Sequence, residues 1–206
     1  MIEGMSVLER HLQVLQFVQR WKGRGDEKQE AQRFWIDLLQ NVLGVRNPTE
    51  AALFEYRTVG GGFIDVLCPE ARLLIEQKGA AIDLDKPEMR QSTPVTPVQQ
   101  AMRYADALPF SMKPAVLCTC NFEWFRFYDL DKDPRATGEP ADKFTLDELA
   151  STWARWSRSS APSIRVSWCS KNYPSTPASS WRTCTTPWPS STPTPTTPRH
   201  TTASQC

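Results

Sequence analysis

The sequence predicts an α/β domain in which a helix is followed by three strands, a second helix and two further strands, with an additional helix ahead of them. Three observations predict it. Apolar residues recur at spacings of three and four over the first forty or so positions. From Leu53 to Lys78 the period switches to two and the segments shorten, as strands require. A proline-initiated helical stretch then leads into a second pair of short β-rich segments.

Val7, Leu8, His11, Leu12, Leu15 and Val18 line one face of a helix expected over Ser6 to Trp21, with Ser6 as its cap. Gly23 and Gly25 end it. Asp26 caps a second helix whose apolar face carries Phe34, Trp35, Leu38, Leu39, Val42 and Leu43, and Gly44 stops it. Strands are expected at Leu53 to Thr58, Phe63 to Cys68 and Arg72 to Lys78, antiparallel in sequence, with turns at Gly60-Gly61-Gly62 and Pro69-Glu70-Ala71. A polar loop from Ala80 to Thr96 follows. Pro97 begins a helix running to about Leu108, and Ala115 to Thr119 and Glu123 to Leu130 are the last two strands. After Asp133 the chain loosens, and a short helix capped near Thr145 carries Leu146, Leu149 and Trp153.

The 206 residues suffice for one domain with a substantial core, but their composition is not uniform. Residues 1–150 carry 18 Lys and Arg against 23 Asp and Glu, a net −5, whereas residues 151–206 carry 6 basic residues and no acid. That last stretch has no Gly, Leu or Phe, and 32 of its 56 residues are Ser, Thr or Pro. It holds five of the eight Trp with almost no aliphatic residues to pack against, which suits neither a core nor an ordinary linker. Reading-frame slippage in GC-rich coding DNA somewhere near 150–160 produces such a mixture. The expected organisation is therefore a folded domain over 1–144 with its core at about 25–130, the start of a helical spacer at 145–156, and a disordered or out-of-frame tail at 157–206.

A net −5 excludes a general polyanion binder, so any nucleic-acid contact has to come from a local patch. No apolar stretch approaches the roughly 20 residues of a membrane span. The N-terminus has no secretory apolar run, and the six cysteines are scattered, so a reduced, cytoplasmic protein is expected. Cys118 and Cys120 point the same way on one strand but have no partner pair for a zinc site, and are expected in the core. With only His11 and His200, chemistries that need clustered or catalytic histidines are excluded. Gly60-Gly61-Gly62 is followed by a strand and not by the helix that a nucleotide or S-adenosylmethionine loop needs, so it is expected as a hairpin turn.

The chemistry-bearing residues are Asp65, Glu76 and Lys78. Period-two alternation sets Asp65 opposite in face to Ile64 and Val66, and sets Glu76 and Lys78 on one face of the next strand. A turn that leaves Glu70 and Ala71 unpaired brings Asp65 directly across from Glu76, and a three-residue turn makes them diagonal neighbours. Two carboxylates brought together repel unless a cation lies between them, and hard oxygen ligands suit Mg²⁺, with Mn²⁺ as a substitute. Asp65, Glu76 and the main-chain carbonyl of Gln77 are the expected metal ligands, and Lys78 is the cation that steadies developing charge on a phosphate. Gln100 and Tyr104, one helical turn apart, and Glu30, on the helix before the strands, are supporting candidates. The rival reading is solubilising edge charge on an inert or purely structural module.

The runs Gly62-Phe63-Ile64-Asp65-Val66-Leu67, Leu74-Ile75-Glu76-Gln77-Lys78-Gly79, Asp83-Leu84-Asp85-Lys86, Gln99-Gln100 to Tyr104 and Phe125-Arg126-Phe127-Tyr128-Asp129-Leu130, in this order of elements, resemble the N-terminal region of MmeI-like restriction-modification enzymes. The resemblance covers roughly residues 25–150. It implies a PD-(D/E)xK restriction-endonuclease-like core, a mixed central sheet flanked by helices in the order α-βββ-α-ββ, that hydrolyses DNA phosphodiester bonds with Mg²⁺. In such enzymes a helical spacer, an adenine-N6 methyltransferase that uses S-adenosylmethionine, and a target-recognition region follow in the same chain. Here Ile64 stands before the aspartate in place of proline, and ten residues separate Asp65 from Glu76, one more than in close relatives. Beyond about residue 155 there is no Asn-Pro-Pro-Tyr motif and no glycine-rich cofactor motif, so DNA affinity and cofactor use are expected of an intact parent more than of this chain.

Overall fold

A computed structural model of the protein describes residues 7–90 and 92–158. The Ser6 cap and the tail expected from 157 onward lie wholly or almost wholly outside these residues. Helix α1 (Val7–Trp21) is followed by α2 (Glu27–Asp37), which runs on through a π-turn at Leu38–Val42, and by the one-turn α3 (Pro48–Ala51). Strands β1 (Leu53–Arg57), β2 (Phe63–Cys68) and β3 (Leu73–Gln77) come next. A two-stranded ribbon, β4 (Glu88–Arg90) and β5 (Thr93–Val95), leads to α4 (Pro97–Ala107). The chain ends its described part with β6 (Val116–Cys120), β7 (Trp124–Asp129), β8 (Asp142–Thr145) and α5 (Leu149–Arg158).

Among the described residues the main sheet has six strands in the order β1-β2-β3-β6-β7-β8. Every neighbouring pair is antiparallel except β3 and β6, which run parallel because the connection between them, carrying α4, crosses over the sheet. The sheet is thus mixed and mostly antiparallel. One face is covered by α1, α2 and α5 over a core of Val14, Phe17, Phe34, Trp35, Leu39, Ile75, Cys118, Phe125 and Phe144. The other is covered by α4, through Ala101, Ala105 and Leu108 against Ile64, Leu67, Leu74 and Leu117. As expected for core residues, Cys118 and Cys120 are buried thiols, and burial pushes the pKa of Cys120 up to about 12.

Local chemistry explains most boundaries. The Asp26 side chain accepts the Gln29 N–H at the start of α2. Thr96 and Gln99 form a reciprocal capping box ahead of α4, with Pro97 in its first turn. Thr145 and Glu148 make the same exchange before α5. The hairpin between β1 and β2 turns on Gly61 and Gly62, both at positive φ, with the Thr58 N–H donating to the Gly62 carbonyl. Gly62 also has no room for a side chain, because a Cβ there would meet the Tyr104 ring at 2.9 Å.

Four expectations require correction. The buried stripe of α1 is Val14, Phe17 and Trp21, while Leu8, Leu12 and Leu15 are exposed. The helix carries two apolar stripes, and the one with the larger rings faces the core. The expected loop from Ala80 to Thr96 contains the β4–β5 ribbon, and the loosened segment after Asp133 contains β8, the sheet's last strand. Ile64 and Val66 do not share a face: Ile64 packs under α4 and Val66 under α2 and α1.

Phe34 is the hub of the larger core, with the rings of Phe17, Trp21 and Phe122 each at 5.1 Å and Trp35 at 5.4 Å. Phe34→Ala is expected to cost about 3–5 kcal/mol in chemical denaturation. Leu12→Ala, on the exposed stripe, is expected to cost under about 0.5 kcal/mol, and an equal loss in both would contradict the assignment of faces.

Candidate functional site

Strand β3 lies between β2 and β6 and is buried along its length. Its entry turn is tight: the Arg72 N–H donates to the Pro69 carbonyl at 3.0 Å, with Glu70 and Ala71 between them. Pairing then runs Cys68↔Leu73, Leu67↔Leu74 and Val66↔Ile75. One further step of this register sets Asp65 opposite Glu76, the two-residue-turn alternative read from the sequence. The ladder lapses at that step. Asp65 uses its own carboxylate, with Oδ2 accepting the Gln77 N–H at 2.6 Å. On its other side the β1 pairing skips Glu55, which sits at φ +51°. Strict alternation therefore fails at Asp65, which is why Ile64 and Val66 part to opposite faces.

Glu76 and Lys78 are 1 % and 2 % exposed. The Lys78 ammonium is bonded to Glu76 Oε1, and Glu76 Oε2 is buried without a partner. Burial raises the Glu76 pKa to about 8, helped by the charge of Asp65 and opposed by Lys78. Asp65 is raised to about 6, again chiefly by burial, against the Gln77 hydrogen bond and the Lys78 charge. Both carboxyls are thus held in an environment that penalises negative charge more than one lysine relieves it.

Two contacts fix the end of β3. The Gln77 side chain accepts the Trp35 indole N–H at 2.7 Å and donates to the Lys78 carbonyl at 2.8 Å, so only its main-chain carbonyl is open to the metal-ligand role expected of it. The start of α2 docks beside it: the Gly79 N–H donates to Glu27 Oε2 at 2.8 Å, and the Ala80 N–H to the Gly25 carbonyl at 3.1 Å. Gly25 is required for this approach, since a Cβ would lie 2.2 Å from that of Ala80.

Of the supporting candidates, Glu30 stays at the start of its own helix. Its carboxylate takes the N–H groups of Gly25 and Asp26 and the Arg24 guanidinium. Burial opposes its ionisation, but these bonds outweigh burial and hold its pKa below the usual value. Gln100 donates to the Tyr104 hydroxyl at 3.2 Å, and Tyr104 lies against Gly62, three residues before Asp65. The acid that the sequence reading missed is Glu27, whose charge raises the pKa of both Asp65 and Glu76. Its position directly after a helix cap is that of an ordinary dipole-complementing residue, and only the docking of Gly25 on Ala80 distinguishes it.

Among the described residues no group of three or more His, Cys, Asp or Glu side chains could hold a metal ion by itself. The donor set still fits Mg²⁺, which is commonly held by one or two carboxylates and keeps several waters. Asp65, the unpartnered Glu76 Oε2 and the Gln77 carbonyl are the oxygens on offer. A groove of about 410 Å³ lined by Pro94, Val98, Met102, Arg103 and Arg135 lies on the outer side of α4 and includes none of these groups.

The raised acids set a pH dependence. Folded pKa values above the unfolded ones mean that the folded state holds more protons between about pH 4 and 8, so metal-free stability falls as pH rises through that window and levels off above it. Acids held low, such as Asp37 and Asp133, act only below it. Asp65→Asn is expected to flatten the fall and to gain on the order of 1–3 kcal/mol over the unsubstituted protein at pH 8. Thermal melts of both proteins in chelator from pH 4 to 9 measure this, and a difference that does not grow between pH 4 and 6.5 or so would refute the assignment.

Neither curated proteins nor solved structures gave a match to the chain. A family model did: that of the MmeI N-terminal domain matches residues 10–163, which takes in every described strand and the whole carboxylate and lysine cluster. The chain belongs to the MmeI N-terminal domain family.

Proposed function

We propose that this domain is the endonuclease portion of a restriction-modification enzyme, a PD-(D/E)xK-type fold that hydrolyses DNA phosphodiester bonds at Asp65, Glu76 and Lys78 with a bound divalent cation. The observation that carries the reading is the buried pair of carboxyls on adjacent strands with the Lys78 ammonium against one of them and Glu76 Oε2 left without a partner. Buried charge of this kind is costly, and a purely structural strand has no use for it. Family membership supplies the restriction context.

In this reading Asp65, Glu76 and the Gln77 carbonyl hold Mg²⁺ or Mn²⁺. Such an ion supplies Lewis-acid polarisation of a phosphoryl oxygen and lowers the pKa of a bound water. Lys78, in a site of low polarity, stabilises the negative charge that grows on the phosphoryl oxygens as water adds to phosphorus and the bond to the leaving sugar oxygen breaks. Glu27 holds the Gly79 amide and so fixes the backbone from which Lys78 projects. Trp35 does the same through Gln77. S-adenosylmethionine belongs to the methyltransferase of an intact parent. A second reading, an inert module that keeps the site residues, is favoured by the net −5 of residues 1–150, which gives a duplex little to hold.

Titration calorimetry with Mn²⁺ on the full 206-residue chain, paired with plasmid nicking, tests the reading. We expect Mn²⁺ binding that Asp65→Ala abolishes, together with weak nicking or none. Unchanged Mn²⁺ binding in Asp65→Ala overturns the site. In an intact parent, Asp65→Ala or Lys78→Ala is expected to lower DNA cutting by at least about 10²-fold while adenine methylation persists. A parent that still cuts at full rate overturns the function.

A further inference from the structure

Register places four side chains in one line across the sheet, with Asp65 at its head, one step beyond the paired part of β2. From Asp65 on β2 and Glu76 on β3, the line continues through Thr119 on β6, Arg126 on β7 and Lys143 on β8, each directly paired with the next from Glu76 onward. Charge changes sign along it, from two acids through a neutral hydroxyl to two cations. Glu76 Oε2 and Arg126 Nη1, both in this line, are buried side-chain atoms without a hydrogen-bond partner among the described residues, and Thr119 between them lies against the Tyr128 hydroxyl. Buried polar atoms are nearly always paired. Two such exceptions in one row call for a polar group that the domain does not itself supply, and Arg126, the less buried of the two, is the one that an outside group reaches first.

Arg126 shows what that group is. Its guanidinium lies over the Trp124 ring, 5.3 Å from the centroid, so its plane is held. Asp85, from the segment between β3 and β4, bonds Nη2 at 2.6 Å and leaves Nη1 unmet. A guanidinium is a two-pronged fork that matches the paired oxygens of a phosphate, and Asp85 satisfies one prong only. The Asp85 side chain is itself well exposed, and its segment is tethered by the Asn121 amide donating to the Ile82 carbonyl. Arg126 stands two strand spacings from Glu76, about 10 Å at roughly 4.8 Å per strand. Lys78 and not Arg126 is the cation whose charge acts on Asp65 and Glu76.

We propose that Arg126 forms a second phosphate subsite, which takes a backbone phosphate of the DNA strand beside the one positioned at Asp65 and Glu76, and that Asp85 occupies this subsite until DNA displaces it. The proposal rests on the nuclease reading above. Arg126 is a positioning residue: it fixes the register of the strand over the carboxyls and takes no part in bond cleavage. Asp85 works as a gate, since a carboxylate on the guanidinium repels the next anion until the segment shifts. The signature Asp83-Leu84-Asp85-Lys86 has its physical account here, with Leu84 buried as the anchor, Asp85 on the subsite and Lys86 paired with Asp83 at 2.9 Å.

The test is binding of a short fluorescent duplex DNA by the full chain in chelator, followed by anisotropy over a range of salt. Asp85→Asn frees the fork at an exposed position that does not threaten folding. It is expected to bind several-fold more tightly than the unsubstituted protein, with a salt slope steeper by about 0.9, the value of one added phosphate contact. In the Arg126→Gln background the same Asp85→Asn change is expected to gain nothing, and Arg126→Lys is expected to retain part of the gain. No gain from Asp85→Asn, no binding by it even at low salt, or an equal gain with and without Arg126 overturns the subsite. Mn²⁺ calorimetry on Asp65→Ala reads the carboxylate site independently. Loss of Mn²⁺ binding there with no effect of Asp85→Asn sinks the subsite alone, and the reverse sinks the nuclease reading and reduces Arg126 to a phosphate contact with no scissile neighbour.

Discussion

Strand β3 has to be both interior and charged, and much of the structure follows from how that conflict is met. It is paired on both edges and covered on both faces, a setting that normally demands an unbroken apolar run. Leu73, Leu74 and Ile75 comply, and then Glu76 and Lys78 do not. Water cannot relieve these two, so they are bonded to each other, and the strands alongside are shaped to them. Asp65 gives up regular pairing to hold the Gln77 amide. Glu55 across from it takes a positive φ, which an L residue adopts only at some cost. Deviations from ideal sheet geometry therefore collect around the one place where charge is buried.

The two faces of β3 divide the work. On the side of α1 and α2 an aromatic cluster around Phe34 supplies the apolar burial that makes the domain stable, and Trp35 reaches from it to Gln77. That hydrogen bond ties the stable half to the charged half at the residue between Glu76 and Lys78. On the other side α4 covers the apolar part of the strand with small residues, Ala101 and Ala105, which let helix and sheet approach closely. The polar line from Asp65 to Lys143 runs across this same face. A tilt of α2 would therefore reach Lys78 through both Trp35 and Glu27, without a change in any residue of the line itself.

The sequence made the strong periodicities readable and left the weak ones hidden. Strands β2, β3, β6 and β7 were each expected within a residue or so of where they lie, because they alternate or run apolar between clear turns. Strands β4 and β8 were not, since Glu88-Met89-Arg90 and Asp142-Lys143-Phe144-Thr145 are short and nearly all polar, and their pairing is decided by what they meet in space. The face of α1 was misread because Leu8, Leu12 and Leu15 keep helical spacing as well as Val14, Phe17 and Trp21 do, and spacing alone cannot rank two apolar stripes. Around the cluster, period two put Glu76 and Lys78 on one side of β3, where the structure bonds them, and misjudged the strand at Asp65, where alternation breaks. Glu27 was not legible: its role depends on one glycine-permitted approach, that of Gly25 to Ala80, between segments more than fifty residues apart. Asp85 was legible only as part of a motif, without the Arg126 partner that gives it meaning.

Charge balance connects these local features to what the domain can do. A region with a net −5 offers DNA no steering attraction, and beyond a Debye length of about 8–10 Å charge interactions of either sign are largely screened. Only short-range contacts remain, and the cations that face the site are few: Lys78 is already bonded to Glu76, and Arg126 to Asp85. Under the proposed function, a duplex has to displace an internal carboxylate to gain each contact, so the free-energy gain from any one of them is small. Such a site cannot select or retain DNA by itself. Under the same proposal it acts on DNA that a separate recognition region holds in place, where high effective concentration replaces affinity. Weak intrinsic binding then becomes a means of control, because cutting is confined to duplexes already held by a recognition region, and stray DNA meets a surface of the wrong sign.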